Sequence, residues 1–258
     1  MKMHKSAIPI QAIAIFVLLF LLSLSSQIAA QDSPSLLQAL HANERDVKHL
    51  LRDEIRRPLE VIEFLGIDSG MQVLDVYAAD GYYSYILSKV VGPQGRVYAQ
   101  NPAAGSNVED IRQMYSLADA LDEIIESAAL NNIAHLRQDL FELEIEPASL
   151  DAVMLVQILH DFYNADPDYA AAVLSHLKSR LKPGGIVAII DHVGEAGQDN
   201  RRLHRMQKSQ LMALAERVGL TLIGDSNLLE NRTDQHRRPV FDPMLGRDTD
   251  RFLLKFQN

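Results

Sequence analysis

Two histidines with carboxylates beside them are the residues best suited to chemistry. His160-Asp161 and Asp191-His192 each set an imidazole next to an acid. An imidazole titrates near neutrality and can take up or release a proton. A lone histidine of this kind is more often a hydrogen-bonded structural residue, and both readings stay open. Two converging on one rim strengthen the reading as a base. His160, Asp161 and His192 are therefore the candidate catalytic residues. With His204 the same groups could ligate a metal, since imidazole and carboxylate both do so. No pair has the i, i+4 helical spacing of a strong metal motif, so no metal site is assigned. The chain has no cysteine, which removes disulfides, thiolate zinc sites and cysteine nucleophiles.

These residues need elements to hold them. Met71 to Ser84 reads as strand, tight turn and helix: Val73, Leu74 and Val76, then Ala78 to Gly81, then Tyr83, Ile86, Leu87 and Val90. Arg96 to Gln100 reads as a second strand after the Gly92-Pro-Gln-Gly95 turn. Asn101 to Asn107 reads as a loop and Val108 to Leu130 as a helix. Ile133 to Leu136 and Leu150 to Ile158 are further strands, and Pro167 to Leu181 a helix. Lys182-Pro-Gly-Gly185 turns into Ile186 to Ile190, a run buried on both faces. Met206 to Val218 is helical, and Leu220 to Ile223 with Phe252 to Phe256 close the sheet. Upstream, Leu36 to Leu51 and Leu59 to Leu65 have helical spacing. Between them lies the charged stretch Arg52 to Glu60, either a solvated helix face or a lid. Strands alternating with helices predict an α/β fold with a doubly wound, mostly parallel seven-stranded sheet. Ligands in such sheets bind at the carboxyl ends of the strands. That rule gathers the 75–83 turn, Gln100-Asn101, Gln138-Asp139, Gln157 to Asp161 and Asp191-His192. Residues 225–250 form an insert too long for a hairpin loop. Its His236, Arg237, Arg238 and Arg247 are either solvated or a cap that pairs with an anionic substrate.

The chain has 258 residues and a formal charge of −9. An acidic body with no basic cluster argues against a nucleic-acid partner. Lys2, His4 and Lys5 precede an apolar stretch from Ala12 to Leu24, followed by small residues to Ala30. This reads as a signal peptide over residues 1–30, cleaved after Ala30, which predicts export to the periplasm. No stable membrane span is expected after cleavage. Residues 31–258 then form one domain, opened by a helical segment at 31–70.

The order of elements, with Lys182-Pro-Gly-Gly185 and the closing strand pair, resembles class I S-adenosylmethionine-dependent methyltransferases. A narrower resemblance is to a family of exported bacterial predicted methyltransferases. It rests on Gly81-Tyr82-Tyr83-Ser84, Gly95-Arg96-Val97-Tyr98-Ala99-Gln100-Asn101, Leu203-His204-Arg205 and Pro239-Val240-Phe241-Asp242-Pro243. It implies S-adenosylmethionine as cofactor and a small-molecule substrate. The family's glycine-rich turn reads here Asp75-Val76-Tyr77-Ala78-Ala79-Asp80-Gly81, with Tyr77 and Ala79 where glycines usually stand. The implied cofactor contacts are Asp75, Tyr77, Ala79, Gly81 and Tyr82 in this unit, and Asp139 and Gln157 after later strands. Gln100 and Asn101 stand where an acid usually takes the ribose hydroxyls, and an amide makes the weaker bond. The Tyr77 ring must lie either in the core or across the cleft. The alternative reading is an exported non-catalytic binding protein on this scaffold, since fold alone does not give function. A nicotinamide dehydrogenase ranks third, because no G-x-G-x-x-G follows the first strand.

Overall fold

The computed structural model describes residues 36–43, 45–103 and 111–258. The expected signal peptide lies outside them. The chain divides at Ser35, and Leu36–Asn258 forms one compact unit.

That unit opens with α1 (Leu36–Leu40), α2 (Val47–Arg56) and α3 (Pro58–Leu65). The single helix expected over Leu36 to Leu51 is broken. Asp46 starts a new one, accepting a hydrogen bond from the Lys48 amide at 2.7 Å, as an N-cap does. Arg57 turns the chain between α2 and α3 with φ at 44°, and Pro58 opens α3.

The α/β body follows as β1 (Gln72–Val76), α4 (Tyr82–Val91), β2 (Arg96–Asn101), α5 (Ile111–Ser127), β3 (Ile133–Arg137) and β4 (Leu150–Val156). Next come α6 (Leu159–Ala165), α7 (Pro167–Arg180), β5 (Leu181–His192), α8 (Asn200–Leu203), α9 (Lys208–Arg217), β6 (Thr221–Ser226) and β7 (Arg251–Gln257). The seven strands form one sheet in the order β3-β2-β1-β4-β5-β7-β6. β7 runs antiparallel to both neighbours and the other pairs are parallel. β5 starts earlier than expected. Leu181 already pairs with Leu150, residues 182–185 bulge out, and pairing resumes at Ile186 with Ala152.

Both faces of the sheet are covered, and successive strand residues serve opposite cores. Leu74, Val153, Leu155, Val187 and Ile189 pack on one side with Leu174 and Leu214. Val73, Ala152, Met154, Ala188 and Ile190 pack on the other with Ile62 and Ile86. Asp75 shares the parity of Val73, so its side chain is directed beneath α4. β4 ends at Val156 because Gln157 takes a left-handed backbone, φ 58°, while its N–H donates to Ile190 O at 2.7 Å. His160 and Asp161 thus stand in the first turn of α6, a helix that the sequence reading did not separate from β4.

Candidate active site

The turn after β1 takes the conformation that glycines would give it without having them. Tyr77, Ala79 and Gly81 all have positive φ, at 53°, 51° and 78°. Such angles cost an L-residue roughly 1–2 kcal/mol each, so something must hold the turn. Gln100 and Asn101 do so. Gln100 Oε1 accepts the Tyr77 N–H at 3.0 Å, and its Nε2 donates to Gln138 O at 2.9 Å. Asn101 Oδ1 accepts the Ala79 N–H at 2.9 Å, and its Nδ2 donates to Ala79 O at 3.2 Å. Both residues are fully buried. The amides expected to face a ribose are instead behind the turn, clamping it. A carboxylate could accept the two N–H bonds but could not donate the other two.

Gly81 is needed for space as well as for its angle. A Cβ there would lie 2.5 Å from Leu121 Cδ1 on α5. The Tyr77 ring packs at the core, edge-on to Phe162 with centroids 5.3 Å apart, and does not line the cleft described below. The adjoining Ala79 and Asp80 do. Asp75 is buried, and Ser84 Oγ donates to its Oδ2 at 2.7 Å. Burial raises its pKa to about 6 against the opposing Ser84 bond.

The cleft has a volume of about 820 Å³ and opens at the carboxyl ends of the strands. Its floor includes Ala79, Asp80, Gln157 and His192, and Lys48, Arg52 and Arg56 come from α2. The insert and the start of β7 add Val240, Phe241, Arg247 and Arg251. Five cations thus face one carboxylate. Arg52 forms an ion pair with Asp80 through both of its terminal nitrogens. Burial would raise the Asp80 pKa, but the His49 and Arg52 contacts outweigh it and hold the carboxyl well below its ordinary range. Arg56 Nη2 donates to Gln157 Oε1 at 3.1 Å, and its guanidinium lies 4.6 Å from the Tyr82 ring centre. Tyr82 is buried beneath this cluster and its hydroxyl donates to Asp53 Oδ1 at 2.7 Å. The charged stretch on α2 therefore covers the site instead of facing only solvent. Its signal was legible: Lys48, Arg52 and Arg56 recur every four residues, on one helix face.

The histidines divide. His192 lines the cleft, and its Nδ1 lies 2.7 Å from Thr249 Oγ1. Nε2 has no hydrogen-bond partner among the described residues. Burial lowers the His192 pKa well below its ordinary value, and the charges of His160, Arg251, Arg205 and Arg56 lower it further. His192 is therefore neutral at pH 7. His160 does not line the cleft. Its Nδ1 lies 2.6 Å from Asp191 Oδ1, and Asp191 Oδ2 accepts the His160 backbone N–H at 2.8 Å. Burial disfavours charge on His160, but Asp191 and Asp161 outweigh it and push the pKa up to about 10. Asp161 contacts His204 Nδ1 at 2.9 Å.

Of the sequence candidates, Ala79, Gln157 and His192 meet in the cleft, with Gly81 shaping its edge. Gln100, Asn101, Asp75, Tyr77 and Tyr82 lie behind or beneath it. Asp139 is exposed at the cap of a 3-10 turn, Leu140–Glu142, outside the cleft lining. Asp80 and Thr249 were missed. Asp80 stands between two of the turn's glycine positions, where the sequence gives no signal, and Thr249 meets His192 only because β7 returns beside β5.

A family model described as an O-methyltransferase domain matches residues 97–221. Demethylmenaquinone methyltransferase of Staphylococcus aureus is 28% identical over 131 residues, which are 51% of this chain and 47% of that protein. The chain thus spans about half the length of the curated relatives it matches. Among solved structures, a SAM-dependent methyltransferase from Aquifex aeolicus is similar with a TM-score of 0.60 at 20% identity, covering 88% of this chain and 98% of that one. The 4+2 cyclase SpnF is similar with a TM-score of 0.58 at 16% identity, over 79% and 80% of the two chains. At such identities the likeness is one of fold, and the site must carry the chemistry.

Proposed function

We propose that this chain is a class I S-adenosylmethionine-dependent methyltransferase, as its likeness to an O-methyltransferase domain and to solved methyltransferase folds supports, and that it methylates a small, negatively charged molecule held in the cleft. The observation that carries this reading is the cleft itself, with Ala79, Asp80 and His192 on its floor and five cations around them. Its volume lies within the range of small-molecule sites.

The residues present fit the cofactor. The 77–81 turn keeps the left-handed backbone of a glycine turn, with its Tyr77, Ala78 and Ala79 N–H groups held by Gln100 and Asn101, and the residue at 79 adds only one methyl on the cleft side. Asp80 would meet the cofactor's ammonium group, and Arg52 and Arg56 its carboxylate. When bound, S-adenosylmethionine supplies an electrophilic methyl group on a sulfonium. The chain's own part is then to position an acceptor and remove its proton. His192 is the imidazole placed for the second task, inside the cleft and held through Nδ1 at Thr249; its lowered pKa keeps it unprotonated but makes it a weak base, which restricts it to acceptors with a labile proton. With the cofactor bound, His192 Nε2 would take the proton that the acceptor gives up on methylation. Arg247 and Lys48 would pair with an anionic group on the acceptor, and Arg251, already bonded to the Thr249 and Ile55 carbonyls, adds its charge.

Formation of S-adenosylhomocysteine over a panel of hydroxylated acids tests this reading. His192→Ala is expected to lower kcat by roughly 10²–10⁴-fold, the range for a positioned base, and to leave cofactor affinity within a factor of a few. A variant with unchanged kcat would remove His192 from the chemistry. We also propose that residues 1–30 direct export. A fusion of residues 1–35 to a reporter active only outside the cytoplasm should report activity, and retention inside would refute it.

A further inference from the structure

Beside the cleft, four side chains meet that the methyl-transfer reading leaves without a role. His160 is buried, and its contact with Asp191 at 2.6 Å fixes the ring through Nδ1. That leaves Nε2, which is buried and has no hydrogen-bond partner among the described residues. It faces Asp161 Oδ1 at 3.2 Å, out of hydrogen-bonding alignment. Asp161 Oδ1 in turn lies 2.9 Å from His204 Nδ1. One nitrogen from each histidine and one carboxylate oxygen all lie within 4.8 Å of one another. A buried polar atom left unpaired calls for an explanation, and an absent ion is one.

We propose that His160, Asp161 and His204 form a binding site for a divalent first-row transition ion, with Asp191 supporting His160 from behind. Donors on one ion at about 2.1 Å stand roughly 3.0–3.4 Å apart. The 3.2 Å and 2.9 Å separations are close to that spacing. Two imidazoles and a carboxylate suit zinc or iron(II), whereas magnesium and calcium prefer oxygen ligands throughout. A carboxylate bonded to the far nitrogen is the usual support of a metal-bound histidine, since it fixes the tautomer and raises the ring's basicity. Three protein ligands leave at least one position open. His204 reaches the group because it turns the chain after α8 with φ at 54°. Phe241, which lines the cleft, packs edge-on against His204 with centroids 5.0 Å apart. An ion held there would fasten part of the cleft wall. The contrast is His236, whose two nitrogens are both taken, by Glu195 and Asp250 at 2.8 Å each. No periodic spacing announces the three ligands, because two stand in the first turn of α6 and the third lies beyond β5.

The test is titration of the chelator-treated protein with cobalt(II), read by its visible absorption, and then with zinc(II), read by metal content after dialysis. The expected result is one cobalt per chain, displaced by one zinc. Asp161→Ala and His204→Gln change partly exposed residues and should lose the stoichiometric ion while remaining folded by circular dichroism. Asp191→Asn should keep one ion but bind it roughly 10–100-fold more weakly. His236→Ala should bind as the parent does. No stoichiometric ion in the folded parent protein would overturn the proposal. So would equal affinity in Asp161→Ala and His204→Gln. These readouts need neither cofactor nor turnover, so they stand apart from the methyl-transfer reading.

Discussion

Asp75 is an acid placed where ionisation is costly. Burial beneath α4 raises its pKa to about 6 from the ordinary 3.8. A folded-state pKa raised above the unfolded one favours the protonated form. The associated stability is full below about pH 3.8 and is lost as the pH rises through 6. Above pH 6 the ionised carboxylate costs on the order of 3 kcal/mol, at about 1.4 kcal/mol per pKa unit. Asp75→Asn still accepts the Ser84 hydroxyl. It should unfold at higher denaturant than the parent at pH 8, with the difference closing towards pH 4. A difference constant across that range would show that Asp75 does not titrate in this way. At this scale the sequence was legible where topology alone decides position. His192 ends β5 and therefore stands on the rim. It was not legible for Gln100 and Asn101, because a strand end faces both the ligand and the turn beside it. Only the pairing with Tyr77 and Ala79 shows that these two amides face the turn. Nor could residue type tell His160 from His192. One is held between two carboxylates and the other among cations.

At the scale of elements, the turn after β1 is a glycine loop rebuilt from other residues and held by side chains of β2. Ala79 has φ at 51°, so Ala79→Gly relieves a left-handed strain of roughly 1–2 kcal/mol and adds about 0.5–1 kcal/mol of unfolded-state entropy. Stability should rise by up to about 1 kcal/mol, where the same exchange within a helix lowers it. Asn101→Ala removes both bonds to residue 79 and should cost roughly 1–3 kcal/mol in denaturant unfolding. The insert between β6 and β7 is tied down rather than loose. Arg205 is fully buried and pairs with Asp234 at 2.9 Å, and Asp234 also accepts the His236 and Asp250 amides. Asp234→Ala leaves that guanidinium unpaired, a change that typically costs 3–5 kcal/mol. Limited proteolysis should then cut within residues 227–250 faster than in the parent. Equal cutting would mean that the insert is held by other contacts. Strands and helices were legible from apolar spacing. The break before α2, the bulge at 182–185 and the short α6 were not, since each depends on a local cap, a pairing shift or one left-handed residue.

Across the whole molecule, a net charge of −9 surrounds a cleft in which Lys48, Arg52, Arg56, Arg247 and Arg251 face Asp80. Fields of opposite sign on body and cleft direct anions to the cleft and weaken with salt. Among acceptors, hydroxybenzoates should therefore show lower KM than their neutral methyl esters, and the gap should narrow as ionic strength rises. A gap unaffected by salt would locate the preference in shape instead of charge. The architecture was legible from the alternation of strands and helices, while the sign of the cleft was hidden by an acidic overall composition. It emerges only when α2, the insert and β7 are brought over the strand ends. The central claim, that this cleft holds S-adenosylmethionine, is tested most directly by calorimetric titration of the protein with that cofactor alongside Asp80→Ala. Saturable one-to-one binding is predicted, weakened roughly 10–100-fold by the loss of a charged partner worth about 1.5–3 kcal/mol. No heat at millimolar cofactor, or binding untouched by the substitution, would contradict it.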